Sequence, residues 1–96
     1  MKMLMVVYSG AEPHRVTSLL DRYHAGGYTA FRNAHGSGTT GRRDGSRAWP
    51  GDATLVVSVL PAEHADALVE LFRAETARLP AGDRLHVAVL PTETFF

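Results

Sequence analysis

The sequence predicts an α+β domain: an antiparallel four-stranded sheet with two helices on one face, in the chain order βαββαβ. Three observations predict it. Four short segments rich in strand formers, Met1–Tyr8, Tyr28–His35, Ala53–Leu60 and Leu85–Leu90, bracket two segments of helical periodicity. Each strand–helix–strand unit makes a right-handed crossover, which puts both helices on the same side. The two middle strands follow one another with no helix between them, so a long loop joins strands 2 and 3.

Met1–Tyr8 reads MKMLMVVY and is closed by the turn signal Ser9-Gly10. Glu12 and Pro13 suit a first helical turn, where proline's missing N–H costs nothing. Val16, Leu19, Leu20 and Tyr23 then recur at i, i+3, i+4, i+7 as one apolar stripe, and Gly26-Gly27 stops it. In Tyr28–His35, Tyr28, Ala30 and Arg32 lie opposite Thr29, Phe31 and Asn33. Ala53–Leu60 (ATLVVSVL) is the strongest strand. From Glu63 to Leu79, the residues Leu68, Leu71, Phe72 and Leu79 occupy one helical face and charges the other. Pro80 and Gly82 end that helix before Leu85–Leu90, and Pro91–Phe96 forms a short tail. The order is the split βαβ, ferredoxin-like pattern.

An antiparallel sheet with one face in water alternates apolar and polar residues. Here Leu55, Val57 and Val59 oppose Val56 and Leu60, and Met3, Met5 and Val7 oppose Leu4 and Val6. Both faces read as buried. A chain of 96 residues has nothing else to cover the second face, so it is expected to oligomerise through its sheet.

Ten Lys+Arg balance ten Asp+Glu, which argues against nucleic acid as a partner. The lack of Cys excludes disulfide scaffolds, thiolate zinc sites and cysteine nucleophiles, and fits a cytoplasmic protein. No segment reaches the ~20 apolar residues of a membrane span, so no direct membrane insertion is expected.

The strand order, the long loop and the cluster HGSGTTGR at His35–Arg42 together resemble the PII-like signalling proteins, in a short and divergent form. The resemblance covers 1–96 as a single PII-like domain. It implies a homotrimer with its sheets around a central core, and a small anionic ligand, an adenine nucleotide, in the clefts between subunits. It also implies control of a partner protein, a membrane transporter for example, through the loop 36–51 that corresponds to the family's T-loop. Gly36-Ser37-Gly38 is similar to the Gly-x-Gly at the base of that loop, and Thr39, Thr40 and Gly41 continue the ligand-binding stretch. Gly82-Asp83-Arg84 is similar to the Gly-Asp-Gly-Lys turn before the last strand. The sequence departs from the pattern: Thr39-Thr40 replaces Arg-Gln, Arg84 stands in for the phosphate-binding lysine, and the family's C-terminal paired arginines have no counterpart.

Gly36–Gly51 (GSGTTGRRDGSRAWPG) holds five of the nine glycines and three of the ten basic residues. Glycines let backbone N–H groups approach phosphate. The dinucleotide and P-loop versions need a helix directly afterwards, whereas Arg42, Arg43 and a strand follow here. The stretch therefore reads either as an anion-contacting loop or as a flexible hairpin tip. Arg42, Arg43 and Arg47 suit an anionic ligand or acidic partner, with Trp49 as an interface anchor or as packing at the loop's foot. Ordering costs ~1–2 kcal/mol of backbone entropy per residue, with little apolar content to offset it. Thr39–Ser46 is thus expected to be mobile and Ala48–Gly51 anchored. Arg84 reads as a solvated charge or as a ligand contact.

His14, His24, His35, His64 and His86 show no metal-ligand spacing. His86, within a strand read as buried, and His35, at the end of another, are the candidates for the alternative of a metal-responsive or metal-tolerance trimer of the same fold. No catalytic residue is assigned. Ser58 is mid-strand, and Glu63, Asp66, Glu70 and Glu75 lie along the second helix's charged face. The chain is not expected to be an enzyme, a small ferredoxin-like enzyme being the remaining alternative, and no cofactor is assigned beyond the nucleotide ligand.

Overall fold

In the computed structural model, which describes residues 1–23, 27–35 and 53–96, the chain runs β1 (Lys2–Ser9), α1 (His14–Arg22), β2 (Thr29–Ala34), β3 (Ala53–Leu60), α2 (Ala62–Thr76) and β4 (Arg84–Pro91). The strands form one antiparallel sheet in the order β2-β3-β1-β4, the ferredoxin-like arrangement that the sequence predicts. The expectations for loop 36–51, and for His24 and Gly26, lie outside the described residues.

Pro13 caps α1 in helical geometry, and the first turn closes through Val16 N–H to the Pro13 carbonyl at 3.2 Å. Val16, Leu19 and Leu20 are buried as predicted, but Tyr23 is 44% exposed. The helix ends at Arg22 and Tyr23 leaves helical dihedrals, so the stripe's phase is lost there. Helix α2 stops at Thr76, short of Leu79. The Thr76 hydroxyl donates to the Phe72 carbonyl at 2.9 Å, a side-chain bond that competes with the helical ladder. Leu79 still packs against the core from the turn that follows.

The core lies between the helices and one sheet face: Leu4, Val6, Tyr8, Val56, Leu60 and Leu85 from strands, Val16, Leu19 and Leu20 from α1, Ala65, Leu68 and Phe72 from α2. Burying each large apolar side chain contributes ~1.5–3 kcal/mol. Arg15 fastens the two helices, reaching Glu12 at 2.8 Å and Glu75 at 2.7 Å. Those carboxylates, Glu75 foremost, hold the guanidinium's pKa above its ordinary value. The buried Ser58 hydroxyl donates to the Gly27 carbonyl at 2.7 Å, a structural use of that residue.

Among the described residues no helix lies over the other face. Its side chains form rows across the sheet: Phe31–Leu55–Val7–His86, Thr29–Val57–Met5–Ala88 and Val59–Met3–Leu90. The expectation that both faces are buried holds for the helix side. On the open side of the single chain, Phe31, Val7 and Leu90 are exposed and Met3, Met5, Leu55, Val57 and Val59 half-buried. His86, read from sequence as part of a buried strand, is exposed because β4 is an outer strand and this row faces outward.

Candidate functional site

Antiparallel pairing brings the ends of β1 and β2 to the same edge of the molecule as the starts of β3 and β4. Gly10, the turn 82–84, Asn33–His35 and Ala53 therefore gather at the end of the sheet from which the 36–52 segment departs. The sequence concentrates its special backbone positions there. Gly82 has φ 94°, a left-handed conformation that suits glycine, and Asp83 N–H closes the turn onto the Pro80 carbonyl at 3.1 Å. Asn33 has φ 61°, and the β2–β3 register slips between Phe31 and Ala34. Two residues there oppose one, a bulge that asparagine tolerates better than a branched side chain.

Tyr8 ends the covered face of β1 and is 1% exposed. Its hydroxyl donates to Asp83 Oδ2 at 2.8 Å and accepts from the Glu12 N–H at 3.1 Å. One phenol thus joins the β4 turn to the entry of α1. Burial raises the phenol's pKa above its ordinary value; the Glu12 N–H opposes the rise and Asp83 adds to it. Gly10 leaves room for this contact. A Cβ there would lie 2.6 Å from Asp83 Cγ and would overlap the Tyr8 ring and hydroxyl.

Asp83 is thereby engaged on the helix-covered side. Arg84, in register with Ser9, is on the open side, and its Nε is buried without a hydrogen-bond partner among the described residues. A buried guanidinium N–H left unpaired costs free energy that an anionic acceptor would restore. Beside the β2 bulge, Tyr8, Gly10, Pro13, Arg32, Asn33, Ala53 and Thr54 line a cavity of about 150 Å³. Pockets that enclose ligands of nucleotide size run to ~300–1,000 Å³, so this cavity alone does not enclose one.

Of the residues singled out from sequence, Gly82 and Arg84 are at this end of the molecule, on the β4 side. Gly36, Ser37, Gly38, Thr39, Thr40, Gly41, Arg42, Arg43, Arg47 and Trp49 lie outside the described residues. Their point of departure is β2, the opposite outer strand, about 14 Å away at ~4.8 Å per strand. The same spacing separates the strands that carry or adjoin His86 and His35, so the two do not meet within one chain. Among the described residues no group of three His, Asp or Glu is placed to hold a metal ion. The Tyr8–Asp83 contact was not read from sequence. Its only local signal is a hydroxylated aromatic ending an apolar strand just before a glycine.

A family model, nitrogen regulatory protein P-II, matches residues 1–89. The apo form of CPII, a nitrogen regulatory PII-like protein from Thiomonas intermedia, is 22% identical with a TM-score of 0.65, over 93% of this chain and 87% of that one. CPII bound to ADP and bicarbonate is 25% identical with a TM-score of 0.65, over 93% and 86%. A PII-like signalling protein from Thermus thermophilus is 24% identical with a TM-score of 0.63, over 93% and 85%. No curated protein matches the chain. Among the described residues no helix is long and apolar enough to cross a membrane.

Proposed function

The chain belongs to the nitrogen regulatory protein P-II family, and on that premise we propose that it is a cytoplasmic regulatory trimer, not an enzyme, which binds an adenine nucleotide between subunits and controls a partner protein through loop 36–51. The observation that carries this reading is the division of the sheet's loop end. Arg84, whose Nε has no partner among the described residues, is on one outer strand, and the glycine-rich loop follows the other. A second subunit is needed to bring such halves together. The open apolar face supplies the surface to hold it, because water-exposed rows such as Val57–Met5–Ala88 gain free energy when covered. CPII, which shares the fold, binds ADP and bicarbonate. Ligand contacts at the base of the loop would bias its order and so its fitness for a partner. Gly36–Gly41 and Arg84 are assigned to the ligand, and Arg42, Arg43, Arg47 and Trp49 to the partner.

Light scattering followed by isothermal titration with ADP, ATP and AMP tests the reading. The expected result is a mass three times that of the chain and saturable binding by at least one nucleotide, weakened about tenfold or more in Arg84→Ala. ADP should also slow tryptic cleavage after Arg42, Arg43 and Arg47. A trimer that binds none of the three at millimolar concentration would overturn it.

A further inference from the structure

Two neighbouring residues of opposite charge, Asp83 and Arg84, stand where the β4 turn meets the sheet. A carboxylate is the natural partner of a guanidinium. Asp83 precedes the first paired residue of β4, since the ladder with β1 ends at Ser9↔Arg84, so strand pairing does not fix the face it occupies. What holds it on the helix-covered side is the Tyr8 hydroxyl, at 2.8 Å. That hydroxyl is itself fixed by the Glu12 N–H at 3.1 Å, and Gly10 has no Cβ to push the carboxylate away. On the opposite side the buried Nε of Arg84 has no hydrogen-bond partner among the described residues.

We propose that Tyr8 is a positioning residue for the anion site: it sequesters the Asp83 carboxylate, so that Arg84 stays un-neutralised and open to an anionic ligand. The inference rests on the reading of Arg84 as the anion contact. Tyr8 touches no ligand. It removes a competitor that the chain itself carries next door, and the glycine at position 10 is part of the same device. The arrangement makes a specific demand that packing alone would not. Deleting the hydroxyl should harm binding only while position 83 carries a charge.

ADP titration of the wild type, Tyr8→Phe, Asp83→Asn and the double variant tests this, with circular dichroism to establish that each is folded. Asp83→Asn keeps an oxygen for the Tyr8 hydroxyl and should bind within about threefold of wild type. Tyr8→Phe should bind about tenfold more weakly. The double variant should recover to within about threefold of wild type, because no carboxylate remains to capture Arg84. Tyr8→Phe with wild-type affinity would overturn the proposal. So would a double variant as weak as Tyr8→Phe, which would mark the pair as structural only. If Tyr8→Phe does not fold, Asp83→Asn decides: a tenfold loss there would overturn the proposal. Absence of ADP binding by the wild type would overturn the nucleotide reading itself, before any variant is compared, and this inference with it.

Discussion

On the helix-covered face of the sheet, Leu4, Val6, Val56 and Leu60 are each 1% exposed, whereas on the opposite face Met5 and Val57 are half-buried and Phe31 is 52% exposed. The side chains are of the same kind, and Met5 and Val57 come from the same strands as the buried four. The difference is what lies above them. The covered face receives the stripes of α1 and α2, and the polar groups it buries at Tyr8 and Ser58 are hydrogen-bonded. The open face carries Thr29, His86 and Arg84 on the outer strands, and apart from Ser9 at the end of β1 the residues between them are apolar. Apolar content therefore says that a face must be covered, and topology says whether the chain can cover it itself.

Two substitutions one residue apart break the comparison most sharply. Val56→Asp buries an unpaired charge in the core, at a cost of several kcal/mol against a total stability of ~5–15 kcal/mol, and should abolish the folded far-UV signal. Val57→Asp puts the same charge on the open face. It should keep the far-UV signal and elute at the mass of one chain. Equal unfolding of the two, or an intact trimer in Val57→Asp, would mean the faces do not differ in this way.

At the boundary between the covered face and the loop end, Gly10→Ala should cost ~1–3 kcal/mol in a urea melt, because its methyl displaces Tyr8 and Asp83. A cost below ~0.5 kcal/mol would show that the contact yields freely.

The smallest effect is one of alkali. Folding raises the Tyr8 pKa, so the neutral phenol is the form the native state favours. Its contribution is complete below pH ~10, the unfolded value, and is lost as pH rises through the folded one. Between pH 9 and 11 the wild type should therefore lose more stability than Tyr8→Phe does. Parallel losses would show that Tyr8 is not the group that titrates.

The apolar run through MKMLMVVY and ATLVVSVL made β1 and β3, and the apolar character of both their faces, legible in the sequence. It could not say that Val56, not Val57, faces the helices, because both are equally apolar. His86 was misjudged as buried because a strand's place in the sheet is set by pairing across the whole chain, which period-2 reading does not see. Tyr23 was misjudged because the helical stripe was extended one residue past the last helical dihedrals. Gly82 was legible as a turn, since glycine punctuates the sequence there. The bond between Tyr8 and Asp83 joins residues from opposite ends of the chain, and neither residue type announces the other.

The central place of β1 has a consequence in time. Met5 pairs with Val57 on one side and Ala88 on the other, both more than half the chain away. Its strand has no local hairpin to nucleate it, so the entropy of closing long segments precedes the reward of pairing, and folding should fall among the slower small domains. During synthesis β1 waits for β4. Until Leu85–Pro91 leaves the ribosome, one flank of an apolar strand has no native neighbour, and any other extended chain that reaches it first competes for the same hydrogen bonds.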